Sequence, residues 1–164
     1  MIPSLSDLPN TPQQPNARHD MHVVIQRVRE ASVTVQHTEV ARIGQGLVVL
    51  VGFTAGDGSD QFPDTARELV HLRVFDDDAG RLNRSLLDIG GEVLVVPEVT
   101  LAASLTKGQR PSFDAAASPG VARALFDTFV ASLKAVYPKV ATGVFQAHMI
   151  VRLANDGPVT FIIH

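Results

Sequence analysis

Three short segments hold the groups best suited to chemistry: Pro97-Glu98-Val99-Thr100-Leu101, Lys107-Gly108-Gln109-Arg110-Pro111-Ser112-Phe113, and Asn155-Asp156-Gly157-Pro158-Val159-Thr160. The Thr100 hydroxyl becomes a nucleophile only when a base takes its proton, and no His or Lys stands at a telling distance along the chain. A threonine at the end of a strand is the plainer reading. Lys107 and Arg110, around Gly108, form a short basic loop able to meet a phosphate, with Ser112 as a further donor; a solvated surface loop has the same composition. Asn-Asp-Gly-Pro is turn chemistry, because Gly tolerates backbone angles closed to other residues and Pro fixes its own φ. Locally, then, 155–160 reads as a hairpin turn. X-Pro bonds are also the only peptide bonds for which cis is cheap, so Gly157-Pro158 has a second reading, as backbone aimed into a pocket.

Other candidates are excluded or recede. The chain has no cysteine, which removes disulfides, thiolate metal sites and cysteine nucleophiles. The six histidines include no HxH or HxxxH pair, so no metal site is expected. Asp76-Asp77-Asp78 reads as a solvated acidic turn, since consecutive residues cannot all face one ion. His148 reads as an exposed histidine on the polar face of a strand. A formal net charge of -3 argues against coating nucleic acid by bulk electrostatics, though not against a local phosphate site. No apolar run approaches the roughly 20 residues of a membrane span, and no signal peptide opens the chain; the expected location is the cytoplasm.

The elements that must position these residues follow from patterning. With 164 residues and 45% hydrophobic content, one domain with a real core is expected. Residues 1–20, with Pro3, Pro9, Pro12 and Pro15 among polar residues, read as a flexible arm. From Met21 onward, HVVIQRV, ASVTVQ and EVARI read as three strands of a meander. Gly46–Phe53 is almost wholly apolar, as in a strand buried on both faces. Phe62–Leu72 reads as a helix with Pro63 in its first turn, and Glu92–Val96 as another buried strand. Ser118-Pro119 reads as the N-cap and first position of a second helix, with Val121, Leu125, Phe126, Phe129, Leu133 and Val136 on its apolar face and Tyr137-Pro138 as its stop. Phe145 to Leu153 alternates as a half-buried strand running into the Gly-Pro segment. The expected fold is α+β: a single domain with a curved, barrel-like, mostly antiparallel or mixed sheet and two main helices.

In order, MHVVIQRV from Met21, ASVTV, LNRSLLDIGGEVLVV from Leu82, KGQRPSF and NDGPVTF resemble the D-aminoacyl-tRNA deacylase family, across residues 21–164. The resemblance implies a homodimeric hydrolase that cleaves the ester of D-aminoacyl-tRNA and of glycyl-tRNA, a chiral proofreading step in tRNA editing, with active sites at the dimer interface and no cofactor. It implies that Gly157-Pro158 is cis and reaches into the partner's pocket. There its backbone oxygens would hold the substrate's amino group and exclude an L side chain, a rejection that needs no contact with any particular D side chain. Arg27 matches a residue bracing that segment, and Asn155 and Thr160 match positions flanking it. Thr100 matches a threonine considered as a nucleophile; a positioning role is favoured, with backbone N–H groups near Val99 and Thr100 stabilising the oxyanion. Phe113 falls in the matched substrate-binding stretch, and Lys107 and Arg110 would meet tRNA phosphate.

The chain departs from the family where Ser-Gln is usual, having Pro97-Glu98. Pro removes an N–H and a hydroxyl, and Glu98 adds an anion. A related animal deacylase that clears L-alanine from a threonine tRNA also has Pro at this position. An L-alanyl-tRNA editing deacylase and a non-catalytic tRNA-end binding module are therefore the rival expectations.

Overall fold

A computed structural model describes residues 21–163. The expected arm, residues 1–20, lies outside the described residues, as does His164. Eight strands are described: β1 (His22–Val35), β2 (Thr38–Ile43), β3 (Gly46–Gly52), β4 (Phe75–Asp76), β5 (Leu82–Arg84), β6 (Glu92–Pro97), β7 (Val140–Thr142) and β8 (Ile150–Ile163). With them are helices α1 (Phe62–His71), α2 (Leu86–Ile89) and α3 (Pro119–Val136), and a 3-10 turn, Val99–Ala102.

Six strands form one mixed sheet in the order β2-β1-β3-β6-β7, with β8 along the other edge of β1. The contacts β1–β2, β1–β3 and β1–β8 are antiparallel, whereas β3–β6 and β6–β7 are parallel. The sheet curls into a nearly closed barrel, and side-chain parity shows how. In β3, Leu47, Val49 and Val51 face a core under the helices, while Val48 faces a second core inside the curl. In β6, Val93 and Val95 take the first side, Leu94 and Val96 the second. Apart from Glu92 at the start of β6, both strands are therefore apolar at every position, as expected for strands covered on both faces.

Where two strands were expected before the first hairpin, β1 is a single strand of 14 residues. Val23 and Ile25 face the helices, yet Ala31 and Val33, of the same parity, face the barrel interior. Register shifts against β8 between Gln26 and Ala31 account for the flip: extra residues in one strand turn the next side chains to the other face. Exposed Arg29 and Glu30 sit at that irregularity, which is why the sequence reads as a break.

Helix α1 begins at Phe62 with Pro at its start, as expected. Helix α3 packs Ala122, Phe126, Phe129, Val130 and Leu133 inward, with the Phe62 and Phe129 rings edge to face at 5.5 Å. Burying one such ring contributes about 1.5–3 kcal/mol. Two details differ from the expected helix: Ser118 makes no side-chain cap bond, and Val121 is exposed. Helix α2 has a capping box, Ser85 accepting from the Asp88 N–H while the Asp88 carboxylate accepts from the Ser85 N–H.

Candidate active site

Two clusters emerge. The first is a cavity of about 400 Å³ at the carboxyl end of β6, lined by Val51, Phe53, Pro97, Glu98, Val99, Ala122 and the loop Phe145–Met149. Parallel strands end here, and ligands in open α/β sheets favour such ends. Glu98 is fixed on both sides: its N–H donates to Val51 O at 2.8 Å, and its C=O accepts from the Leu101 N–H at 3.3 Å. Its Oε1 accepts the Thr100 N–H at 3.2 Å and also the Thr100 hydroxyl. The Glu98 side chain therefore caps the 3-10 turn that carries Thr100. Thr100 itself is exposed and does not line the cavity, and its N–H is already donated.

The second cluster surrounds Gly157-Pro158. No hairpin turn exists here: the segment lies within β8, and its peptide bond is cis. The buried Arg27 side chain grips it from beneath, donating to Asp156 O (2.8 Å), Val74 O (2.9 Å) and Asp76 Oδ1 (3.1 Å). Asn155 Oδ1 accepts the Val159 N–H at 2.9 Å, bridging the three residues between. The Asn155 amide and Gln26 both reach the Thr160 hydroxyl, at 3.5 and 3.3 Å. Gly157 has φ +145°, and a Cβ there would meet Val159 Cγ2 at 2.7 Å, so only Gly fits without displacement. Gly157 and Pro158 are nevertheless exposed.

None of Arg27, Asn155, Gly157, Pro158 or Thr160 lines the first cavity. Arg27 pairs with Leu47 on β3, whereas Pro97 pairs with Val51, so the clusters sit at opposite ends of β3, about 13 Å apart along the strand. Lys107, Gly108 and Arg110 form the exposed tip of a loop closed by two hydrogen bonds between Ser104 and Ser112, and Phe113, also exposed, follows it. Asp76-Asp77-Asp78 is not an ion site. Asp76 pairs with Arg27 and Asp78 with Arg84, while Asp77 accepts the N–H groups of Ala79 and Arg81 that hold its carboxyl below the usual range. No metal-binding cluster occurs among the described residues.

His148 is not on a strand. Residues 144–149 form a turn with Gln146 at positive φ, and β8 begins only at Ile150. The apolar alternation of Phe145, Ala147 and Met149 still points these side chains inward, toward the cavity, which makes the stretch look like a strand. Gln146, which the sequence did not single out, and His148, read there as an exposed histidine on a strand, also line the cavity.

The profile of the D-Tyr-tRNA(Tyr) deacylase family matches residues 24–164. Over 140 residues the chain is 55% identical to a protein of Thermomicrobium roseum named D-aminoacyl-tRNA deacylase, covering 85% of this chain and 91% of that one. A protein of the same name from Heliobacterium modesticaldum is 51% identical over 143 residues, 87% of this chain and 95% of its own. Among solved structures, the c-Myc DNA unwinding element binding protein superposes with a TM-score of 0.82 at 35% identity, over 88% of this chain and 98% of that one. A probable eukaryotic D-amino acid tRNA deacylase shares the fold, with a TM-score of 0.76 at 19% identity. The chain belongs to the D-Tyr-tRNA(Tyr) deacylase family, and so is a hydrolase.

Proposed function

We propose that the protein hydrolyses the ester joining a D-amino acid, or glycine, to the 3′-terminal adenosine of tRNA, in the cytoplasm and as a homodimer. The observation that carries this reading is the exposed, clamped Gly157-Pro158 segment, which lies away from its own chain's cavity and is thus free to serve a second copy's. The apolar residues Leu153, Phe161 and Ile162 stand exposed on the same strand, a surface suited to burial between copies. In the partner's cavity the Gly157 and Pro158 backbone would form a wall against an L side chain, with Arg27, Asn155 and Thr160 holding it in place.

The chemistry asks little of the protein. An aminoacyl ester is activated, and the vicinal 2′-hydroxyl assists attack, so positioning and oxyanion stabilisation suffice. Since the Thr100 N–H is donated to Glu98, the Val99 N–H is the better oxyanion donor, and Thr100 acts as a positioning residue. Phe113 would border the substrate, and Lys107 and Arg110 would meet phosphates of the tRNA end.

The test is release of D-tyrosine or glycine from charged tRNA; a folded protein that releases neither would overturn the proposal. Pro97 favours a second reading, L-alanyl-tRNA editing, and faster release of L- than D-alanine would establish it. Tight tRNA binding without turnover would instead mark a binding module.

A further inference from the structure

We infer that Arg123 binds a phosphate of the nucleotide end of the substrate beside the cavity at β6, an inference that rests on the deacylase reading. Arg123 is exposed and follows directly on Ala122, which is buried and lines the cavity, so it stands where the cavity wall meets solvent. Its Cζ lies over the ring of Phe145, 4.9 Å from the centroid, and Phe145 lines the same cavity. The Phe145 ring packs in turn on buried Phe126, with centroids 6.0 Å apart. A ring attracts a cation through its face without using an N–H donor. The guanidinium is thus held in place while its donors stay unspent. Asp127 stands at i+4 on the same helix, a spacing at which ion pairs commonly form. Arg123 nevertheless forms no ion pair and no hydrogen bond among the described residues.

A planar guanidinium with free N–H edges matches two oxygens of a phosphate, and one fixed beforehand loses little side-chain entropy on pairing. Nothing acidic in the first turn of α3 opposes such a ligand, and the Glu98 carboxylate is engaged by Thr100. The aminoacyl end of a tRNA brings the phosphate. The terminal ribose that carries the ester also carries a 5′-phosphate, so an ester seated in the cavity directs that phosphate toward its rim. Arg123 would meet it there, separately from the exposed loop of Lys107 and Arg110. The contact serves the nucleotide end alone and takes no part in the choice between D and L side chains.

Arg123→Gln removes the charge, and Arg123→Lys restores it. The binding probe is a short, uncharged single-stranded RNA ending in adenosine, titrated by fluorescence anisotropy over a range of salt. With R123Q the slope of log affinity against log salt should become shallower by about 0.7, the loss of one phosphate contact on a single strand, and R123K should return it. Two substrates then separate phosphate binding from support of the cavity wall: D-tyrosyl-tRNA, and D-tyrosyl-adenosine, which has no phosphate. At low salt R123Q should raise KM for the tRNA about fivefold with kcat within about twofold, and should leave hydrolysis of the adenosine ester within about twofold. An unchanged salt slope would overturn the inference. So would an equal loss on both substrates, which would make Arg123 a support for Phe145. If neither ester is hydrolysed yet the slope changes as expected, the proposed function falls and the phosphate site stands.

Discussion

Around Gly157 the backbone is gripped from the interior by Arg27, a buried cation with three acceptors, whereas around Thr100 it is held at the surface by one Glu98 side chain. The first arrangement is costly to disturb, because buried donors and acceptors lose their partners together. The second can change with little effect on the fold. A wall that rejects one enantiomer must not move, while a group that meets a substrate must stay accessible. Under the proposed function, the difference between the regions would match that division of work.

The largest expected effect comes from cutting the grip. Arg27→Ala leaves Asp156 O and Val74 O without a donor and should cost about 2–4 kcal/mol in urea unfolding, since Asp76 is half exposed and tempers the loss. The ratio of D- to L-tyrosyl release should fall about tenfold. Gly157→Ala should cost about 1–3 kcal/mol, because an L residue at φ +145° is strained and its Cβ strikes Val159. Single-turnover D-tyrosine release should then drop about 100-fold as the wall shifts. Unchanged selectivity in both variants would erase the contrast between the clusters.

Replacing Lys107 and Arg110 together by Ala should leave stability within about 0.5 kcal/mol, both being exposed. The slope of log affinity for a tRNA end against log salt should become shallower by about 1.4, two phosphate contacts fewer on a single strand. The smallest effect is titrable. The Ser85 N–H and hydroxyl hold the Asp88 carboxyl below its ordinary 3.8. A depressed folded-state value means that this stabilisation is fully present above the ordinary value and is lost as pH falls below it toward the folded value. Asp88→Asn should therefore flatten the acid limb of the stability curve near α2, readable by hydrogen exchange.

What was legible in the sequence shares a physical cause. Strands β3 and β6 and helices α1 and α3 were readable because burial imposes a repeat on consecutive residues. The parity flip in β1 was not, since exposed Arg29 and Glu30 look like a chain break rather than an irregularity within one strand. Nor was the turn at 144–149, whose inward residues alternate without a ladder. At the site, the partner of Thr100 lay two residues away in Glu98; a search for His or Lys passes over it. The grip of Arg27 on Asp156, across 129 residues, rested on family likeness alone. No local pattern encodes such a bond.

The pairing of β1 with β8 has a kinetic side. Val23 lies opposite Ile163 and Thr34 opposite Ile150, so the longest ladder in the barrel joins the first described strand to the last. Closing so long a loop delays the rewarding contacts, and chains dominated by distant pairings fold slowly. On the ribosome, β1 waits with one edge unpaired until β8 emerges, exposed meanwhile to unwanted strand addition. The Gly157-Pro158 segment is therefore among the last parts to form. Under the proposed function, a nascent chain would display the cavity at β6 before the segment that tells one hand of substrate from the other is in place.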